Sequence, residues 1–237
     1  MGKVIFELSG VPGCGKTTLV DCFTKSFSHC EVLSDYQFYR KKHKYLNKVR
    51  TIRFWLMCGD NKIKKLLAQM KTECIQHDYR RQHFKKQLNY IRCICLYRQF
   101  GTDFNIAISE GMFQALLELM DTVEKNKESI AIEYCAELFH LFSKEFPYVK
   151  IAVLKLDYKQ ANFRINHRND KYNSVDNMRE EERVALLEKR CRNMEALLNK
   201  VNADKTKIHV LYADNDINEV YSSLTEFVTG MGGYSAS

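Results

Sequence analysis

The sequence is poor in everything that breaks or unfolds a chain. Only 2 prolines and 10 glycines occur in 237 residues, which excludes Pro/Gly-rich linkers, collagen-like repeats and low-complexity disorder. No run approaches the roughly 18 apolar residues of a spanning helix, so an integral membrane protein is not expected. The segment Met1 to Glu7 lacks the apolar region of a secretory signal. Gly2 does not open a myristoylation motif, because Phe6 stands where Ser or Thr is needed. Nine cysteines are an odd number and include no Cys-x-x-Cys pair; this argues against a disulfide framework and for reduced thiols in a cytoplasmic protein. The densest Cys/His group, Cys74, His77, His83, Cys93 and Cys95, matches no common zinc spacing and reads as buried thiols and surface imidazoles.

What is present is ordinary globular material, 45% hydrophobic and 28% charged, enough for a full core. The length, with no internal repeat or linker, suits a single domain over residues 1–237. Charge is the uneven feature. The net charge is +8, yet residues 40–100 alone hold 17 Lys/Arg against 3 acids (Asp60, Glu73, Asp78), a local excess of +14. Such a block suits an anionic partner, whether a nucleotide, a nucleic acid or a phosphate-bearing metabolite, or else is a solvated helical face.

The most informative residues come first. Lys3 to Ser9 reads as a short apolar strand, with Val4, Ile5, Phe6 and Leu8 interrupted by Glu7. It runs into Gly10, Val11, Pro12, Gly13, Cys14, Gly15, Lys16, Thr17 and Thr18, followed by an apolar helical pattern through Leu19, Val20, Phe23 and Phe27. This is a complete G-x-x-x-x-G-K-[ST] loop between a strand and a helix. Glycines let main-chain amides curl around a phosphate, the helix start adds partial positive charge, and Lys16 adds a full one. Thr17 is placed to ligate Mg²⁺ through its hydroxyl. Nucleoside triphosphate binding follows, with ATP favoured because no Asn-Lys-x-Asp guanine motif occurs. Cys14, beside Lys16 and a helix start, is either a thiol with lowered pKa or a small loop filler.

Periodicity supplies the rest of the frame. Strands are expected at 31–33, 104–109, 149–156 and 207–211. Helical stripes run through Ile63, Leu66, Leu67, Met70 and Cys74, and through Phe84, Leu88, Ile91 and Cys95. Further helices are expected at about 113–124, 128–144 and 217–228, with a long one carrying Val184 to Val201. Asp176 is placed to cap that long helix, and Glu180, Glu181 and Glu182 suit its dipole. Strands alternating with helices imply a three-layer α/β fold, a five-stranded parallel sheet with helices on both faces, and ligands at the carboxyl ends of the strands. Asp35 and Glu110 each end a strand there. Either could orient or deprotonate an acceptor hydroxyl, Asp35 being the better placed, and Glu110 could instead hold Mg²⁺ through water. Each could also merely cap the next helix.

In order and spacing the chain resembles the P-loop kinases of small molecules, in the nucleoside and nucleotide kinase group that includes the thymidylate kinases. The P-loop, the strand-ending acid of Ile106-Ala107-Ile108-Ser109-Glu110-Gly111, and the paired arginines of Arg164-Ile165-Asn166-His167-Arg168 carry the resemblance. It implies a helical, basic acceptor region at 36–103 and a lid at 157–176. It assigns Arg168 to transition-state charge and Arg164 to a shared role, with one arginine free to stack on adenine. The chain departs from the group at Gly111, where an arginine usually follows the acid; Arg92 or Arg98 would have to replace it.

The reading that best unites these features is an ATP-dependent, Mg²⁺-assisted phosphotransferase for a nucleoside, nucleotide or similar small anionic metabolite. Alternatives are a sugar or cell-envelope precursor kinase, a polynucleotide 5′-hydroxyl kinase, and an ATP-binding switch or ATPase with no acceptor. Aromatics within the basic region (Tyr36, Phe38, Tyr39, Tyr45, Phe54, Trp55) would suit base stacking or single-stranded nucleic acid, and are otherwise core. By analogy, a homodimer would use residues 112–144.

Overall fold

The computed structural model of the chain describes residues 5–26, 30–33, 61–74, 105–108, 111–121, 123–145, 149–168, 175–201 and 207–229. Five strands join one sheet: β1 (Ile5–Gly10), β2 (Cys30–Leu33), β3 (Asn105–Ile108), β4 (Val149–Lys155) and β5 (Ile208–Tyr212). Their order is β2-β3-β1-β4-β5, and every adjacent pair is parallel. β1 is therefore central. Glu7 lies in register between Ile108 on one side and Ile151 on the other.

Parallel strands need covered faces, and β4 shows how both are covered. Val149, Ile151 and Val153 enter one apolar cluster, whereas the alternate residues Ala152 and Leu154 enter another. On the first face pack α2 (Asn61–Glu73), α3 (Met112–Met120), α4 (Glu128–Glu145) and the latter half of α6 (Glu180–Val201). On the second lie α1 (Lys16–Ser26), α5 (Tyr158–Asn166), α7 (Ile217–Thr229) and Leu187 of α6. Phe6 of β1 meets Phe23 of α1 there, with ring centroids 4.6 Å apart and both rings fully buried. Each such ring contributes about 2–3 kcal/mol through burial. Among the described residues no helix is long and apolar enough to cross a membrane.

The expected stripe Ile63, Leu66, Leu67 and Met70 is buried on α2, as is Cys74 just past its end; the stripe from Phe84 to Cys95 lies outside the described residues. Two expectations need correction. The helix expected to reach residue 124 ends at Met120. Lys189 donates to the carbonyls of Asp121 (2.9 Å) and Val123 (2.6 Å), and Arg190 grips the Asp121 carboxylate, so cations from α6 complete the helix end. Asp176 is not the cap of the long helix, which begins only at Glu180. The three glutamates do occupy its first turn. Eight residues of α3 are buried in this chain's own core.

A parallel sheet in this order, with the central strand feeding a glycine-rich loop into a helix, is the P-loop nucleoside-triphosphate-binding fold.

Candidate nucleotide site

The phosphate loop bridges the end of β1 and the start of α1. Its shape depends on glycine at Gly13 and Gly15, whose φ angles of +89° and +94° disfavour any side chain. At Gly13 space is also refused, since a Cβ would stand 2.7 Å from the carbonyl oxygen of Ala161 on α5. Gly10 is tight as well: a Cβ there would meet the Leu154 carbonyl at 2.6 Å and Cys14 Sγ at 2.8 Å. The Cys14 amide closes the turn onto the Val11 carbonyl (3.3 Å). Cys14 itself is buried in the α1-side core, with the Lys16 ammonium 3.8 Å from its sulfur.

Lys16 is the first residue of α1, and its ammonium reaches back over the loop to the carbonyls of Gly10 (2.6 Å) and Val11 (3.3 Å). A phosphate seated in the loop would compete for that ammonium. Thr17 and Thr18 are exposed on the first turn, where the helix directs amides and its positive end toward an anion.

The contact between Gly13 and Ala161 sets the arginine-bearing segment directly against the loop. α5 is capped by Asp157, whose carboxylate accepts from the Lys159 amide at 2.8 Å. Asn162 and Asn166 both donate to Glu180 and both accept from the buried Arg183, which bolts α5 to the first turn of α6. These bonds from the two asparagines hold the Glu180 carboxyl below its ordinary range.

The two arginines do not share one target. Arg164 donates to the Ala213 carbonyl (2.8 Å), at the turn after β5. Arg168 lies beyond the end of α5 and pairs with the buried carboxylate of Asp176 at 3.5 Å. α5 stops at Asn166 and His167 forms its C-terminal cap, so Arg168 does not continue the helical face that carries Arg164. Asp35, Glu110, Arg92 and Arg98 lie outside the described residues, as does lid segment 169–174.

The sequence pattern also concealed a buried carboxyl behind the loop. Phe6 and Leu8 face the α1 side, so Glu7 and Ser9 face α3. Glu7 is 1% exposed. Its Oε1 accepts from Ser9 Oγ and the Gln114 amide (3.2 Å), and its Oε2 from the Met112 amide (2.7 Å). Burial pushes its pKa above the ordinary carboxyl value, opposed by Ser9 and by the amides of Gln114, Met112 and Phe113. Gln114 in turn accepts from the Gly10 amide at 3.3 Å. Residue 111 is glycine for steric reasons: a Cβ would lie 2.5 Å from Glu7 Cγ and closer still to its carboxyl. The only sequence signal was one acid inside a strand bound for the middle of a covered sheet.

The model of the viral superfamily 1 RNA helicase core domain matches residues 8–67, a minor part of the chain that includes the phosphate loop and α1. No curated protein sequence matches significantly. Among solved structures, deoxyadenosine kinase from M. mycoides with bound dATP is similar at 14% identity, covering 95% of this chain and 100% of its own, with a TM-score of 0.48. The same enzyme with bound dCTP, and with the products dCMP and a flexible dCDP, aligns at 14% identity over 96% of this chain and 100% of its own, with TM-scores of 0.49.

Proposed function

We propose that this chain is an ATP-dependent phosphotransferase acting on a nucleoside, a nucleotide or a similar small anionic metabolite. The observation that carries the reading is the seating of Ala161 on Gly13, which makes the phosphate loop and the arginine-bearing α5 one packed unit. Phosphoryl transfer needs positioning and charge neutralisation more than covalent chemistry, and this unit holds the cations for both.

In this reading the loop amides and Lys16 hold the β and γ phosphates. The Thr17 hydroxyl, exposed beside Lys16, would hold a hard cation such as Mg²⁺, with Glu110 as the other residue to help hold it. Bound Mg²⁺ would supply neutralisation of the phosphate charge. Arg168 leaves Asp176 to meet charge developing on the transferred group, and Arg164 stays near the base, anchored at Ala213. Asp35 or Glu110 orients the acceptor hydroxyl, and the basic region 36–103 receives the acceptor's negative charge. The protein acts in the cytoplasm in this reading. Thymidylate-type specificity is disfavoured by Gly111, because the buried Glu7 leaves no room there for an arginine.

The test is a panel of nucleosides, nucleotides and sugars scored for acceptor-dependent ADP release. Transfer should appear with one acceptor class and vanish in Lys16→Ala; robust turnover by that variant would contradict the reading. The helicase match over 8–67 and the +14 block at 40–100 favour a second reading, an ATPase or 5′-hydroxyl kinase acting on nucleic acid. Its mark would be turnover stimulated by single-stranded oligonucleotides and steeply weakened by salt.

A further inference from the structure

We infer that Glu7 and Gln114 are positioning residues that lock the start of α3 to the first glycine of the phosphate loop. The inference rests on the loop being the ATP site and adds to it a physical link between that loop and the first turn of α3.

A helix start needs acceptors for its first amides, and a local Ser, Thr, Asp or Asn normally supplies them. α3 does otherwise. Its N-cap is Gly111, with no side chain to offer, and the acceptor comes from β1, 105 residues earlier in the chain. A buried carboxyl is a costly way to cap a helix when a local serine would serve. What it achieves, and a local cap would not, is a fixed separation between the central strand and the first turn of α3. Glu7 is walled by strands on both sides, and the absent side chain at Gly111 is the space its carboxyl fills.

Gln114 completes the bracket. At the third position of α3, its amide donates to Glu7 and its side-chain oxygen accepts from the Gly10 amide. The carbonyl of the same Gly10 accepts from Lys16. Both polar groups of this glycine are therefore engaged, one toward α3 and the other with the lysine that a phosphate would attract. A phosphate seated in the loop draws the ammonium off Gly10 and orders the loop backbone, and Gln114 passes that ordering to α3. Glu110, the acceptor carboxylate of the proposed function, immediately precedes Gly111 in sequence.

The experiment is hydrogen exchange of the full chain with and without Mg²⁺ and the non-hydrolysable analogue AMP-PNP, with calorimetry run in parallel. The variants are Glu7→Gln and Gln114→Met; the second keeps side-chain length and leaves the Glu7 cap in place should the first fold poorly. In the unchanged protein, nucleotide should slow exchange of the amides at 112–116 about tenfold; in the variants that difference should fall below about twofold while the analogue Kd stays within about threefold. A merely structural cap would alter basal exchange but not the nucleotide-dependent difference. Uptake of the analogue with no response at α3, or with variants responding like the unchanged protein, overturns the inference and leaves the nucleotide site standing. No uptake by the unchanged protein removes the nucleotide site itself, and the inference with it.

Discussion

Arg168 and Asp176 face each other at 3.5 Å, the carboxylate 2% exposed and the guanidinium 32%. The arginine assigned to the transferring phosphoryl group is therefore held by a carboxylate beside the start of α6. Leaving one buried partner without the other is costly, though partial exposure of Arg168 reduces the effect. Arg168→Ala and Asp176→Ala should each lower stability by about 1–3 kcal/mol, and the double variant should lose less than their sum. Urea unfolding of the four proteins checks this; strict additivity would mean the pair contributes nothing. In phosphotransfer assays Arg168→Ala should lower kcat about 10²-fold while ATP affinity changes little.

Gly111→Ala should destabilise by about 1–3 kcal/mol through overpacking. Its φ of −107° suits any residue, so the cost is steric and comes from the Glu7 carboxyl. Truncating that carboxyl should relieve it. Glu7→Ala/Gly111→Ala should be more stable than the sum of the single effects predicts, by about 1 kcal/mol or more. Thermal and urea unfolding of the single and double variants would settle the sign.

The phosphate loop was legible because its information is local: glycine spacing, Lys16 and the flanking strand and helix are contiguous. Strand and helix alternation was legible for a similar reason, since β4 and the stripe of α2 carry their periods within a dozen residues. The bracket was not. Glu7 looked like an interruption of an apolar strand, and Gly111 like a missing arginine; each is explained only by the other, across a separation no periodicity records. Asp176 resembles a cap in sequence because an acid ahead of a helix usually caps it, whereas the helix starts four residues later and the carboxylate faces Arg168. The acceptor side remains the least legible, because Asp35 and Glu110 depend on where strand ends converge.

Asp121 and Arg190 form the most buried ion pair among those described, with side chains 4% and 9% exposed and a two-pronged contact of 2.5–3.2 Å. They join the end of α3 to α6, the helix whose Glu180 and Arg183 also hold α5. Asp121→Ala leaves a buried guanidinium uncompensated and should cost about 3–5 kcal/mol. Exposed Glu195, paired with Lys155 at 3.1 Å, provides the contrast: Glu195→Ala should cost less than about 1 kcal/mol. Equal losses in urea unfolding would contradict the burial argument.

Glu7 should also leave a signature in the pH dependence of stability. Burial raises its pKa above 4.5 in the folded chain, so the native state keeps this proton after the unfolded chain has lost it. The stabilising term is therefore fully present below the unfolded value and is lost as pH rises toward the folded one. Glu7→Gln has no proton to lose at this position. The stability of the unchanged protein relative to that variant should fall as pH rises above 4.5, by at most about 1.4 kcal/mol per pH unit. Urea unfolding of both proteins between about pH 4 and 8 measures the difference directly, within the range where both remain folded. A rising difference would mean that the amides of α3 and the Ser9 hydroxyl outweigh burial, and that Glu7 holds α3 as a carboxylate rather than as a neutral acid.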